Sequence, residues 1–387
     1  MIYLDYNATT PVDPRVNQAA LMWHTEKYGN AASRDHAFGW DASEAVEDAR
    51  HQVAEFCDCA PSEIIFTSGA TESLNAVIKG FVTSRKRRNK KLIACETEHE
   101  AVLGPCRRAQ SNAGIEVEIL PVDREGRIDL DKLRTTVAAS AEMLVALMAA
   151  NNEIGTLHQV QEIGRIAHAA GAWFLCDVTQ AAGKMPVGVH TGPIDFAAFS
   201  AHKMYGPKGV GALFVRGGSR GIDLEPLIDG GGQEHGWRGG TLNVPGIVGF
   251  GESCRIAQQE WRGEAERVCR LRHRMEEVLL AELHDIWING DLENRISNTS
   301  NIGFKSVNAR ALIRDMHDIA VSTQAACSSG SNGPSHVLKA IGLTDDEAYS
   351  CIRFSLGRFT TEEEIDYTIG KVITSVRKLR RSKNVTA

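Results

Sequence analysis

The sequence predicts an α/β protein: a large unit built on a mostly parallel sheet, followed by a smaller α+β unit. Three observations predict it. From about residue 62, short and nearly continuous apolar runs alternate with segments of helical spacing, the pattern of a sheet covered on both faces. After about residue 250 the chain changes style, to one long charged helical stretch and then shorter units. Polar residues also cluster at the C-terminal ends of two apolar runs, the edge where open α/β sheets place their chemistry.

Taken in order, Glu63 to Thr67 reads as a strand, and a helical pattern follows through Asn75 to Phe81. Lys91 to Cys95, Glu116 to Leu120 and Met143 to Ala150 are strand candidates, and Gln159 to Ala170 has helical spacing. Ala172 to Asp177, Asp195 to Ser200 and Val210 to Val215 complete the series. Ser253 to Leu283 is long, charged and helical, suited to connect two domains. Beyond it lie Asp285 to Asn289, Asn301 to Phe304, a helix near Ala309 to His317, and a strand over Ser350 to Leu356. Thr360 or Thr361 caps a last helix whose first turn carries Glu362, Glu363 and Glu364. The expected division is a large domain over 13–255, and a small domain formed by 1–12 with 256–387.

The 387 residues are 43% hydrophobic and 24% charged with a formal net charge of −6, so bulk charge does not argue for direct nucleic-acid binding. The basic run Arg85-Lys86-Arg87-Arg88-Asn89-Lys90-Lys91 and the Arg377 to Lys383 tail read as solvated helix ends or loops. Nine cysteines in a chain of this length do not make a disulfide scaffold. No signal-like N-terminus and no uninterrupted apolar stretch of membrane-spanning length appears, so the expectation is a cytoplasmic protein with free thiols. Cys57-Asp58-Cys59 is too closely spaced for a zinc site, and no metal is expected.

Asp177 closes the run Ala172-Trp173-Phe174-Leu175-Cys176, and Lys203 follows the run ending at Phe199. An acid and a lysine at two strand ends suit pyridoxal 5'-phosphate (PLP). The lysine forms a Schiff base with the aldehyde, and the carboxylate keeps the pyridinium nitrogen protonated so that the ring remains an electron sink. Phe66-Thr67-Ser68-Gly69-Ala70-Thr71-Glu72-Ser73 reads as strand, glycine turn and helix start, where backbone N–H groups at Ala70 and Thr71 would hold a phosphate. A capping box at Thr71 has the same look. Ser200 and His202 flank Lys203 and could add phosphate contacts. His99, after the strand ending at Cys95, could lie over the cofactor ring and shuttle a proton. Lys208, in Gly206-Pro207-Lys208-Gly209, is the rival lysine.

These residues carry a resemblance. Leu4-Asp5-Tyr6-Asn7-Ala8-Thr9-Thr10-Pro11, Thr67 to Ser73, Glu98-His99, Asn151-Asn152-Glu153-Ile154-Gly155, Asp177-Val178-Thr179-Gln180, Ser200-Ala201-His202-Lys203 and Ile352 to Arg358 together resemble the NifS/IscS cysteine desulfurases, nearly end to end. The resemblance implies PLP-dependent transferase fold type I with a seven-stranded type of sheet. It implies Lys203 as the Schiff-base lysine, His99 stacked on the ring, Asp177 on the pyridine nitrogen and Gln180 on the phenolic oxygen. Thr71, Ser200 and His202 would hold the phosphate, Thr241 would reach the phosphate of the neighbouring subunit of a homodimer, and Asn152 and Arg353 would hold the carboxylate of L-cysteine. A guanidinium fork matches a carboxylate independently of any resemblance.

Cys327 lies in Ala325-Ala326-Cys327-Ser328-Ser329-Gly330-Ser331-Asn332-Gly333-Pro334-Ser335, a loop composition, and a loop cysteine can be a nucleophile where Cys95 and Cys176 in apolar runs are packing. It matches the persulfide-forming cysteine of the family's long-loop branch. The implied reaction takes L-cysteine to L-alanine. Lys203 and His99 move protons, and Cys327 captures the sulfur for a protein acceptor that serves iron–sulfur cluster assembly, tRNA thiolation or DNA phosphorothioation. Three departures bear on the acceptor: Thr323-Gln324-Ala325-Ala326 before Cys327, His235 where the family usually has Arg, and an end soon after Arg381. The alternatives are another PLP enzyme of the fold, such as an aminotransferase or selenocysteine lyase, and a PLP-bound scaffold for a sulfur-transfer or DNA-modification complex.

Overall fold

The computed structural model describes residues 1–84, 89–138, 142–189, 192–218, 224–323 and 333–385. Arg85 to Arg88 of the basic run, and Cys327 with 324–332 of its loop, lie outside the described residues. The first part of the chain forms β1 (Ile2–Tyr3), α1 (Pro14–Thr25), α2 (Ala37–Cys57), β2 (Ile64–Thr67), α3 (Ala70–Thr83), β3 (Lys90–Cys95), α4 (Glu100–Ala113), β4 (Glu116–Leu120), α5 (Leu130–Val137) and β5 (Glu142–Met148). Then come α6 (Val160–Ala169), β6 (Trp173–Asp177), β7 (Phe196–Ser200), β8 (Gly211–Val215) and α7 (Val244–Glu282). The remainder is β9 (Ile286–Asn289), β10 (Thr299–Phe304), α8 (Ala309–Asp315), β11 (Ile319–Ala320), α9 (His336–Ala340), α10 (Asp345–Ala348), β12 (Cys351–Ser355) and α11 (Glu362–Val385).

Seven strands form one sheet in the order β2-β8-β7-β6-β5-β3-β4. Only β8 runs against its neighbours, β2 and β7; the other pairs are parallel. The reason the strands read as continuous apolar runs lies in their two faces. Ile64, Phe66, Ile93, Val145, Leu147, Phe174, Cys176, Ala197 and Phe199 enter one core, which α2, α6 and the start of α7 cover. The alternate residues Ile65, Leu92, Ala94, Leu144, Ala146, Leu175, Phe196 and Ala198 enter another, which α3 and α4 cover. With both faces buried, the period-2 alternation of side chains brings no alternation of polarity.

A third core joins Val268, Leu271, Met275 and Leu279 of α7 to Phe304, Leu312, Ile352, Phe354, Ile369 and Val376. Leu4 belongs to it, and β1 pairs in parallel with β11. One helix thus serves two cores, with Ile247, Phe250 and Cys254 packed in the first.

The structure departs from the sequence reading in two places. Helices α1 and α2 precede the alternating series, and α4 and α5 lie within it. The long helix starts at Val244 rather than near Ser253, with Pro245 in its first turn, where its missing N–H costs nothing. Gly251 in this start serves close packing: a Cβ there would lie 2.8 Å from the Cα of Ala49 in α2. Of the two candidate caps of α11, Thr361 is the one used, accepting from Glu364 N while Glu364 accepts from Thr361 N.

Candidate active site

The C-terminal ends of β2, β3, β5, β6 and β7 open on one cavity of about 530 Å³. Ala70, Thr71, His99, Asn152, Asp177, Gln180, Ser200, His202, Lys203 and Arg353 all line it. Thr241 does not; it is exposed on the surface. Cys327 lies outside the described residues. The rival Lys208 also lines the cavity, from an exposed position.

The floor is set by β6 and β7. Asp177 is the last residue of β6 and accepts at Oδ1 from Thr179 N at 3.0 Å and from the Thr179 hydroxyl. Lys203 ends a single 3-10 turn, Ala201–Lys203, directly after β7. Its Nζ donates to the carbonyls of Asn7 at 2.5 Å and Ala8 at 2.7 Å. Gln180 Nε2 donates to the same Asn7 carbonyl at 3.0 Å. Two residues assigned to cofactor contacts therefore share one acceptor from the N-terminal segment. That segment has no helical or strand periodicity, and its part in the wall had no signal beyond the resemblance.

One end of the cavity is a helix start. Gly69 caps α3 with φ +146°, a backbone region that L side chains avoid, and a Cβ there would lie 3.3 Å from Ser200 Oγ. Ser68 N donates to Glu72 Oε2, and Arg238 Nε pairs with Glu72 Oε1 at 3.0 Å. His202 Nδ1 meets Thr9 Oγ1 at 3.1 Å. Burial, with Lys203 and Lys208 adding, lowers the His202 imidazole to about 4, so it is neutral at pH 7.

On the β3 side, His99 caps α4 and accepts from Ala101 N at Nδ1, 3.0 Å. A neutral ring with Nδ1 as acceptor carries its proton on Nε2. Burial lowers the His99 pKa, and Lys203 and His336 push the same way against Asp177 and Glu100. Glu98 lies below, accepting at Oε1 from Met148 N at 2.8 Å, while Oε2 is buried without a partner. Burial pushes its carboxyl up to about 8, and the charge of Asp177 adds to this.

Across the cavity, Arg353 on β12 is 3% exposed. Nη1 donates to Asn152 O at 2.8 Å and Nη2 to Asp5 Oδ1 at 2.6 Å, and Nε is buried with no partner. A guanidinium has five N–H donors, so this one keeps capacity for an anion.

Eight of the nine cysteines are described, and all eight are free. Six are buried, including Cys95 and Cys176, whose thiols burial pushes well above the usual value. No described cysteine lines the cavity. No group of three or more His, Cys, Asp or Glu suited to a metal occurs among the described residues. No described helix is long and apolar enough to cross a membrane.

Comparison with known proteins agrees with this geometry. A cysteine desulfurase IscS from Anaeromyxobacter sp. (strain Fw109-5) is 50% identical over 379 residues, 98% of this chain and 93% of its own length. One from Klebsiella pneumoniae (strain 342) is 47% identical over 381 residues. Among solved structures, a NifS-like protein superimposes with a TM-score of 0.89 at 37% identity, covering 96% of this chain and 98% of its own. A structure of SspA in complex with cysteine superimposes with a TM-score of 0.81 at 34% identity, covering 93% and 100%. The family profile of the class-V aminotransferases matches residues 2–368, and this chain belongs to that family.

Proposed function

We propose that this chain is a PLP-dependent cysteine desulfurase that converts L-cysteine to L-alanine and retains the sulfur as a persulfide on Cys327. One observation carries the reading: Lys203, Asp177 and Arg353, from three separate strand ends or strands, line a single cavity. The residues present fit the cofactor. A glycine start to α3 leaves a cradle that a side chain would fill, with the hydroxyl of Ser200 at its wall. When bound, PLP supplies an electrophilic carbon and an electron sink.

The chain's own residues supply the rest. Lys203 Nζ is the amine that tethers the cofactor and then moves the proton at the substrate α-carbon. Asp177 Oδ, fixed by Thr179, holds a proton on the ring nitrogen. His99 would lie against the ring, and with Nδ1 accepting from Ala101 N its proton is carried on Nε2. Ala70, Thr71, Ser200 and His202 receive the phosphate, and Gln180 the phenolic oxygen. Arg353 and Asn152 hold the substrate carboxylate, the guanidinium being already steered by Asp5. The Cys327 thiolate attacks the substrate sulfur; the carbon–sulfur bond breaks, a sulfur–sulfur bond forms at Cys327 Sγ, and the carbon skeleton leaves as L-alanine. The burial of six other cysteines, away from the cavity, favours Cys327.

The same reading takes the protein to be a cytoplasmic homodimer in which Thr241 reaches the partner's cofactor phosphate. It passes sulfur to a protein acceptor, with no direct contact to nucleic acid or membrane. The test is incubation with PLP, L-cysteine and dithiothreitol. Equal amounts of alanine and sulfide are expected; cofactor conversion to the amine form without sulfide would mean transamination instead.

A further inference from the structure

Lys184 is a lysine to which the reaction above gives no part, and its surroundings are unusual for one. It lies four residues after Gln180 in the turn that follows β6, where Ala181 and Ala182 N both donate to Val178 O and Lys184 N donates to Ala181 O. This coiling brings the two side chains to one side. Lys184 Nζ donates to Gln180 Oε1 at 2.8 Å and to Gln180 O at 3.2 Å. Among the described residues no carboxylate lies within ion-pair distance of it. The chain as a whole is half-buried there, lining a narrow crevice with Tyr6, Thr10, Tyr205 and Glu264, but the ammonium itself is desolvated. Burial, then Lys203 and Arg353, lower it to about 7 against the pull of Glu264.

An amide side chain has an acceptor end and a donor end of nearly the same shape, and its neighbours decide which way it points. Lys184 Nζ donates to Oε1, and its ammonium form can only donate, so it favours the arrangement with Oε1 towards itself; this leaves Nε2 facing the Asn7 carbonyl and the cavity. The geometry points to Lys184 as a positioning residue: it orients the Gln180 amide so that the cavity is offered an N–H donor, suited to an anionic oxygen such as the phenolate of PLP, rather than a carbonyl. This rests on the reading of Gln180 as the partner of that oxygen. A second consequence has the same sign. A cation behind Gln180 disfavours a proton on the nearby imine, as does a hydrogen bond to the phenolate, because both draw negative charge away from it.

The test is the pH titration of the visible Schiff-base band of the purified holoenzyme, without substrate. Gln180→Leu is expected to raise the midpoint by about one unit, the size of one lost hydrogen bond. Lys184→Met is expected to raise it by a similar amount, with circular dichroism and cofactor content near those of wild type; Lys184→Leu serves if the Met variant does not fold. Lys184→Arg, which keeps donor and charge, is expected to titrate near wild type. The double variant Gln180→Leu/Lys184→Met is expected to shift by less than the sum of the singles, since both act at one amide. An unmoved midpoint in Lys184→Met beside a shifted one in Gln180→Leu would overturn the role of Lys184 alone. Unmoved midpoints in both would remove Gln180 from the phenolic oxygen, and the proposal with it.

Discussion

Arg353 Nη2 donates to Asp5 Oδ1 at 2.6 Å, joining residues 348 positions apart. The pair ties the N-terminal segment to β12 at the mouth of the cavity. The same segment offers its Asn7 carbonyl to Lys203 and Gln180, so both ends of the chain build the wall opposite the parallel strands. With Nη1 and Nη2 each satisfied once, the buried fork is held in place before any substrate arrives.

Arg353→Ala is expected to raise KM for L-cysteine by roughly 10- to 150-fold, the cost of a charged hydrogen bond to a carboxylate, with PLP affinity little changed. Loss of the Asp5 pair is expected to lower the melting temperature as well. Steady-state kinetics beside a thermal melt separates the two, and a KM within twofold of wild type would remove Arg353 from the carboxylate site.

Lys203→Ala is expected to abolish the visible Schiff-base absorbance while the phosphate cradle still takes up PLP non-covalently. Lys208 lines the same cavity but from an exposed position. A visible band that survives in Lys203→Ala and disappears in Lys208→Ala would move the tether there.

Much of this was legible in the sequence, for identifiable reasons. The strand-end positions of Asp177 and Lys203 follow from apolar runs that stop abruptly, and the structure puts both at one sheet edge. Helix α2 carries a regular apolar stripe, Ala42, Val46, Ala49, Val53 and Cys57, with Glu44, Glu47 and Asp48 on its exposed face, so its pattern is legible; only Arg50 puts a charge on the buried face, and the reason becomes visible in three dimensions, where it pairs with the buried Glu234 at 2.8 Å. The start of α7 carries Gly246, Gly249 and Gly251, which lower its helical propensity, and of these Gly251 is there for close approach to α2. Lys184 stood at i+4 from Gln180 in plain view, but a lysine after Gly183 looks like a solvated charge until its ammonium is found on the amide. The reversed direction of β8 has no local signature, since its fully buried pattern is the same as that of its parallel neighbours.

Glu98 makes stability fall with pH between its unfolded and folded values, from 4.5 to about 8. Its folded pKa, about 8, lies above the ordinary 4.5. A raised carboxyl gives stability that is full below the unfolded value and lost as pH rises through the folded one, because the unfolded chain then sheds a proton that the fold retains. Glu98→Gln keeps an acceptor for Met148 N and cannot ionise. Urea denaturation from pH 5 to 9 is expected to show wild type losing stability relative to Glu98→Gln across that range; parallel curves would mean Glu98 does not hold its proton.

Thr241 is exposed in the single chain, outside the cavity. In a homodimer with composite sites, Thr241→Val is expected to weaken PLP binding several-fold, about one lost hydrogen bond, without disturbing the fold. Sedimentation of a fully active monomer at assay concentration would exclude the shared site.

The most direct test of the account is single-turnover reaction of Cys327→Ser with L-cysteine. Lys203, His99 and the α3 cradle involve no thiol, so the variant is expected to bind PLP with wild-type spectra. A serine hydroxyl is a far poorer nucleophile towards sulfur than a thiolate. Alanine is therefore expected near background, and mass spectrometry is expected to find one added sulfur on Cys327 of the wild type and none on the variant. Alanine and sulfide released by Cys327→Ser at close to the wild-type rate would contradict the persulfide mechanism.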